Sequence, residues 1–185
     1  MIQIEDFFGL FTLIVGDINR GKTTLTKRII ESYCRERNGA ISVVDLAPNL
    51  PQQDLVGKVG KKGVGGKLDV SSFPYVCYFH GQIHAPRLTA ADEAGAEVLA
   101  RSNAQTIEAL FKEVLKEEPD ALFINDCSLY LHAGDPRQLL IWIRSANTTV
   151  VNGYEGHSLG EGPLSIRERD GMAFLKEQCD QLIRL

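Results

Sequence analysis

Two rhythms of apolar residues run along the chain. Leu10-Phe-Thr-Leu-Ile-Val15 is a short β-branched and aromatic run stopped by Gly16, the pattern of a strand buried on both faces. From Lys22 to Arg37 the spacing changes: Leu25, Ile29, Ile30 and Tyr33 recur at helical intervals and form one apolar stripe. Ala40 to Leu46 is again an apolar run. Strand, helix, strand at this spacing is a βαβ unit, which predicts an α/β domain. The alternation continues with a strand at Tyr75 to Phe79 and a helix from Thr89 to Glu118, whose weak point is Ser102-Asn103. A strand at Ala121 to Asp126, a short helix at Pro136 to Ser145 and a strand at Thr148 to Asn152 follow. Glu155 to Ser165 is a glycine-rich loop, Ile166 to Gln178 a helix and Gln181 to Leu185 a last strand. Residues 47–74 interrupt the pattern with three prolines and the stretch Gly57-Lys-Val-Gly-Lys-Lys-Gly-Val-Gly-Gly-Lys67, which predicts a long flexible loop of functional use.

Composition narrows this picture in a few places. A chain of 185 residues fits one domain, residues 1–185, and buries roughly 70% of its unfolded surface without a covalent staple. With 44% hydrophobic and 24% charged residues it is not a disordered chain. A net charge of −4 excludes a global basic footprint for nucleic acid and leaves only a local patch. The four cysteines are far apart in sequence, with no C-x-x-C pair, so reduced thiols are expected rather than a zinc ribbon or a disulfide framework. The apolar run Phe7 to Val15 is too short to cross a bilayer and no basic residue precedes it. The expectation is a soluble, cytoplasmic protein without a membrane partner.

The chemistry is concentrated in Gly16-Asp17-Ile18-Asn19-Arg20-Gly21-Lys22-Thr23, which fits G-x-x-x-x-G-K-[ST] and sits between a buried strand and a helix. Glycines at both ends let the backbone curl until successive N–H groups face one concavity. The helix that follows adds its free N–H groups and the positive end of its dipole, completing a nest for phosphates. Lys22 reaches β- and γ-phosphates as a point charge, and the Thr23 hydroxyl joins the coordination of Mg²⁺. Residues 16–24, Thr24 included, are therefore the predicted nucleotide-binding segment, with Mg²⁺ as cofactor and ATP or GTP as substrate.

Nucleotide-bound Mg²⁺ also calls for a carboxylate near a strand end, and two strands supply one, Asp45 and Asp126. Either would complete the metal site with Thr23, and Asp45 could instead be the base for an acceptor hydroxyl. Cys127, not a glutamate, follows Asp126, so the Asp-Glu pair of many ATP-driven motors is missing. Arg167 and Arg169 open the last helix, where a lid arginine would neutralise transition-state charge, and Arg167 is the candidate. Lys58, Lys61, Lys62 and Lys67 among glycines would form a cationic flap for a nucleic-acid or small-molecule acceptor, although no aromatic residue interleaves to stack bases. His80 and His84 lie four apart, but Gly81 and Pro86 argue against a helical zinc site and for a substrate-facing loop. Asn152-Gly-Tyr-Glu155 only partly matches the guanine-reading Asn-Lys-x-Asp, and turn chemistry accounts for Asn-Gly.

With these residues in hand, the chain is similar to the P-loop nucleoside triphosphatases over residues 10–46 and Asp126, which implies a three-layer fold with a mainly parallel sheet flanked by helices. Within that superfamily it resembles the polynucleotide 5′-hydroxyl kinases. Gly21-Lys22-Thr23-Thr24 matches their G-K-[ST]-[ST], and Asp45 matches the aspartate of their D-x-x-Q, with Asn49 and Gln52 out of step. Phe79-His-Gly81 with Pro86 resembles their aromatic-x-Gly and proline. Ile124-Asn-Asp-Cys-Ser-Leu129 echoes their substrate strand, with serine for glycine and leucine for tryptophan. The resemblance implies γ-phosphoryl transfer to a nucleic-acid 5′-hydroxyl end, with Asp45 activating the hydroxyl and Arg167 or Arg169 on the lid. The sheet also resembles that of dimeric P-loop GTPases of metal-centre maturation, but their Cys/His clusters and complete guanine motif are not in this sequence. The alternative from a different class is a slow nucleotide-dependent switch or assembly protein, in which nucleotide orders residues 47–74 for a partner.

Overall fold

All six residues of β1 (Phe11–Gly16) are buried, and so are those of β2 (Ile41–Asp45), β4 (Ala121–Asn125) and β5 (Thr148–Tyr154), whereas β3 (Cys77–His80) and β6 (Gln181–Arg184) are only half-buried. The order of the strands explains this division. In a computed structural model that describes residues 3–37, 39–48 and 66–185, the strands lie in the order β3-β2-β4-β5-β1-β6, so β3 and β6 are the edges. Every pairing is parallel.

Successive side chains of a strand point to opposite faces, and both faces here are covered. Ile14, Val43, Phe123 and Val150 pack on one side with Ile29, Ile30 and Tyr33 of α1 (Lys22–Glu36). Their neighbours Leu13, Val44, Ile124 and Val151 pack on the other. There they meet Phe111 of α3 (Glu93–Val114), Trp142 of α5 (Pro136–Ile143) and Met172 and Leu175 of α6 (Pro163–Gln178). The Phe111 and Trp142 rings stack with centroids 4.3 Å apart. Two one-turn helices, α2 (Pro86–Thr89) and α4 (Ser128–Leu131), join this second layer.

The expected α/β class and three-layer arrangement are what the structure shows. Several element boundaries differ, each for a local reason. The helix expected from Thr89 is interrupted: Ala90 and Asp92 are extended, and the Asp92 side chain accepts the Gly95 N–H at 2.7 Å to start α3 afresh. Removing that cap costs a helix about 1 kcal/mol, so Asp92→Ala is expected to lower the melting temperature by roughly 2–4 °C in a thermal unfolding scan. The expected weak point at Ser102-Asn103 is regular helix, because Asn103 turns its amide outward and exchanges hydrogen bonds with the His84 backbone at 2.8 and 3.0 Å. Strand β5 runs on through Asn152 and Gly153 to Tyr154 rather than turning there. A Cβ on Gly153 would sit 2.9 Å from the Met172 methyl and 3.0 Å from Cys127 Sγ, so this glycine serves close packing, not a turn.

Residues 49–65, with Lys58, Lys61 and Lys62, lie outside the described residues. What is described of the stretch at 47–74 is partly packed: Leu68 and Val70 are buried against the α1 side of the sheet, and Lys67 just before them is exposed. All four cysteines are unpaired thiols. Among the described residues no helix is long and apolar enough to cross a membrane.

Candidate active site: the cleft at the carboxyl ends of β1, β4 and β5

The segment after β1 forms a tight loop into α1. Gly21 caps the helix at φ +89, a left-handed conformation that a side chain would strain, and Asn19 also takes a positive φ, 57°. Gly16 has a different role from Gly21. It is the extended last residue of β1, and a Cβ there would lie 2.7 Å from the Leu185 backbone oxygen, so Gly16 is needed because the chain end passes over it. No side chain caps the first turn of α1, which leaves its N–H groups to a ligand. Lys22 folds back over the loop and donates to the Gly16 and Asp17 carbonyls at 2.8 and 2.7 Å. Burial lowers its pKa, while Asp126, Asp17 and Glu168 pull the other way.

Asp17 anchors the loop to the segment after β5. Its carboxylate accepts the Ile18 N–H at 2.6 Å and the Ser158 hydroxyl at 2.7 Å. Partial burial pushes this carboxyl up, but the Ser158 hydroxyl and the Ile18 and His157 backbone outweigh it and hold the pKa below the usual value.

The loop borders a cleft of about 390 Å³. Residues 18–24 form one wall, and Asn125, Asp126, Asn152 and Tyr154 bring the ends of β4 and β5 to it. Ala85, Pro86 and Arg87 also line the cleft, and His80 and His84 of the expected substrate-facing loop are not among the described residues that line it. His84 contributes backbone bonds to Asn103, and among the described residues no group of three or more His, Cys, Asp or Glu could hold a metal on its own.

The carboxylates are arranged differently from the sequence expectation. Strand β4 ends at Asn125, and it is Asn125, not Asp126, that meets Thr23: its Oδ1 accepts the Thr23 hydroxyl at 3.2 Å and the Asn152 amide at 2.8 Å. Its Nδ2 donates to Asp45 Oδ1 at 2.8 Å and to the Gly66 carbonyl at 2.9 Å. Asp45 therefore sits one layer behind, 2% exposed and not lining the cleft. Besides Asn125 it accepts from the Ala47 and Leu68 N–H groups at 3.1 and 2.7 Å and from the Tyr78 hydroxyl at 2.7 Å. Burial and the Asp45 carboxylate push the Tyr78 pKa up. Both of its oxygens are engaged in this way, so Asp45 stands behind the cleft wall, where the sequence expectation had it as base or metal ligand.

Asp126 follows the strand at φ 61 and does line the cleft, with its Oδ1 accepting the Ser128 hydroxyl at 2.7 Å. Burial raises its pKa and the Glu168 charge adds to this, against Ser128, Lys22 and His132. The folded protein thus favours the protonated carboxyl. That contribution to stability is full below the unfolded carboxyl range and is lost as pH rises through the raised native value. Asp126→Asn is therefore expected to melt higher than the wild type at neutral pH and to converge with it in acid. Asparagine also tolerates the positive φ. Melting curves from pH 3 to 8 read this directly, and a variant that melts lower at pH 7 would contradict it.

The structure does not bring Arg167 to this cleft. Arg167 pairs with Glu97 and lines a separate hollow with Arg101 and Phe174, because the first turns of α6 face α3 there. Arg169 pairs with Glu161 at 2.6 Å on the surface. Two arginines line the cleft, Arg20 of the loop and Arg87, which the sequence reading passed over. Arg87 forms a bidentate pair with Glu168 at 3.0 and 2.8 Å, and its guanidinium lies 5.2 Å from the Tyr154 ring. Asn152 is buried in β5, with Nδ2 donating to Thr26 Oγ1 and to Asn125, and Glu155 pairs with Lys176, so the partial guanine pattern is used for internal bonds.

No protein-family model and no curated protein sequence matches the chain. Solved structures do resemble it. The flagellar accessory protein FlaH from Methanocaldococcus jannaschii superposes with a TM-score of 0.51 at 13% identity, covering 96% of this chain and 71% of that one. A prototypical ATPase from the type III secretion system of pathogenic bacteria gives 0.49 at 12% identity, with 96% of this chain spanning 51% of that one. The first of these likenesses agrees with the six-stranded parallel sheet flanked by helices: the chain shares the α/β fold of that flagellar accessory protein.

Proposed function

We propose that the protein binds a nucleoside triphosphate with Mg²⁺ in this cleft and transfers its γ-phosphoryl group to a hydroxyl acceptor or to water. One observation carries the reading: the loop of residues 16–23 presents uncapped helix N–H groups and Lys22 to the same cleft that Thr23, Asp126 and Arg87 line. Residues 18–24 cradle the phosphates, and Lys22 leaves the Gly16 and Asp17 carbonyls for the β- and γ-phosphates. The donor set suits Mg²⁺, which takes one or two protein oxygens and completes its shell with phosphates and water; Thr23 and Asp126 would hold it, and it would neutralise charge on the transferred group. ATP and GTP are both admitted. The acceptor is a small-molecule hydroxyl or a nucleic-acid 5′-hydroxyl end. The test follows labelled γ-phosphate from ATP and from GTP, with Mg²⁺, in the presence and absence of a 5′-hydroxyl oligonucleotide. Label on the oligonucleotide assigns a nucleic-acid end kinase; free phosphate alone assigns an NTPase or a different acceptor; label that never leaves the nucleotide rejects phosphoryl transfer.

A second reading, the slow switch, has its own observation. Asn125 joins Thr23 to the Gly66 carbonyl, and Asp45 holds the Leu68 N–H, so occupancy at Thr23 is wired to residues 66–68. Nucleotide-dependent hydrogen-exchange protection at Leu68, without turnover, would favour it.

A further inference from the structure

A buried cluster at the back of the cleft has no role in the reading so far. His132 is 0% exposed and lines the cleft, and its Nε2 lies 2.9 Å from Glu168 Oε2. Glu168, 3% exposed on α6, is itself clamped by both arms of Arg87. Arg87 is held in turn by the Ser165 hydroxyl at 3.2 Å. Glu168 thus has one bond to spare for an imidazole N–H, which places the proton of a neutral His132 on Nε2. The other ring nitrogen, Nδ1, is buried and has no hydrogen-bond partner. A buried polar atom without a partner costs free energy, and here it belongs to a residue on the wall of the ligand cleft. A carboxylate that fixes one imidazole nitrogen and leaves the other bare is the arrangement that equips histidine to accept a proton from a hydroxyl.

We propose that His132 is the base of this site and that its Nδ1 receives the proton of the attacking hydroxyl. The inference rests on the phosphoryl-transfer reading above. The hydroxyl oxygen bonds to the γ-phosphorus, the bond from that phosphorus to the bridging oxygen of the β-phosphate breaks, and the nucleoside diphosphate leaves. The hydroxyl proton moves to Nδ1, and the imidazolium is balanced by the Glu168 carboxylate. Asp126 and Lys22 are the other charged groups facing the cluster, and Asp126 is the residue that would hold the metal. The sequence expectation gave the base role to Asp45, which the Asn125, Ala47, Leu68 and Tyr78 bonds now occupy. The shared chemistry is a hydroxyl, and its source is water or an alcohol.

The deciding variant is His132→Gln, whose amide replaces the Nε2–H donor to Glu168 but offers nothing at Nδ1. Fluorescent ATP binding and γ-phosphate turnover are measured in parallel, in ¹⁸O water and with glycerol as a simple alcohol. Isotope in inorganic phosphate identifies water as the hydroxyl, and glycerol phosphate identifies an alcohol. Nucleotide affinity within about twofold of wild type and turnover down by about 10²-fold or more are expected, the range of a lost general base. Normal turnover in this variant would overturn the inference and leave the parent reading standing. A wild-type protein that binds no nucleotide would sink both, and one that binds without turnover on water, glycerol or a 5′-hydroxyl oligonucleotide would sink the base role. Long-range ¹H–¹⁵N spectra of the wild-type imidazole decide the matter even if the variant fails to fold. The expected tautomer carries hydrogen on Nε2 only, and a neutral ring protonated on Nδ1 would overturn the proposal.

Discussion

Lys22→Ala is expected to lower nucleotide turnover by about 10²–10³-fold while the protein remains folded, the scale at which a single preorganised charge acts on a transition state. The geometry supports both halves of this expectation. Lys22 reaches no further into the fold than its own loop, where its ammonium covers the Gly16 and Asp17 carbonyls. Lys22 belongs to neither apolar cluster, so its removal does not leave a hole in the hydrophobic layers on either face of the sheet. What is lost is the cation that folds back over the loop of residues 16–23. Steady-state phosphate release with a thermal melt as folding control measures both, and an unchanged rate with an intact melt would contradict the assignment of this loop.

Glu168→Ala is expected to have the largest effect on stability, a loss of about 3–5 kcal/mol, the range for breaking a buried ion pair by removing one partner. Truncation leaves the Arg87 guanidinium, 12% exposed at its side chain, without its bidentate acceptor, and His132 without the partner of Nε2. The Tyr154 ring beside Arg87 does not replace a carboxylate. For a chain of this size that loss corresponds to a fall in melting temperature of about 6–20 °C. Glu168→Gln keeps one acceptor oxygen and should fall less. A Glu168→Ala protein that melts within 2 °C of wild type would show that the cluster contributes little to the fold, against about 6 °C or more expected.

How far the sequence reveals this site depends on how local each interaction is. The loop of residues 16–21 is legible as a connection because the strand before and the helix after it are visible as changes of period. The two faces of the sheet are legible for the same reason: Leu13 and Ile14, or Ile124 and Phe123, alternate in sequence as they do in space. The side-chain partner of Thr23 was not legible. Asn125-Asp126 is a polar pair at a strand end, and only the positive φ of Asp126 decides that Asn125 meets Thr23. Gly153 reads as a turn glycine in sequence and proves to be a space-saving strand residue. Arg87 and Glu168 are 81 residues apart and His132 lies 36 from Glu168, so no spacing rule could have joined them. For Asn125 alone there was a usable signal, its place as the first polar residue after an unbroken apolar strand.

The account stands on one claim, that this cleft takes a nucleoside triphosphate. Calorimetric titration of the full chain with ATP and with GTP, each with Mg²⁺, tests it without any assumption about acceptor or rate. Saturable binding of one nucleotide per chain is expected for at least one of the two, weakened at least tenfold in Lys22→Ala. No saturable heat from either nucleotide at millimolar concentration, or binding that Lys22→Ala leaves unchanged, would contradict it.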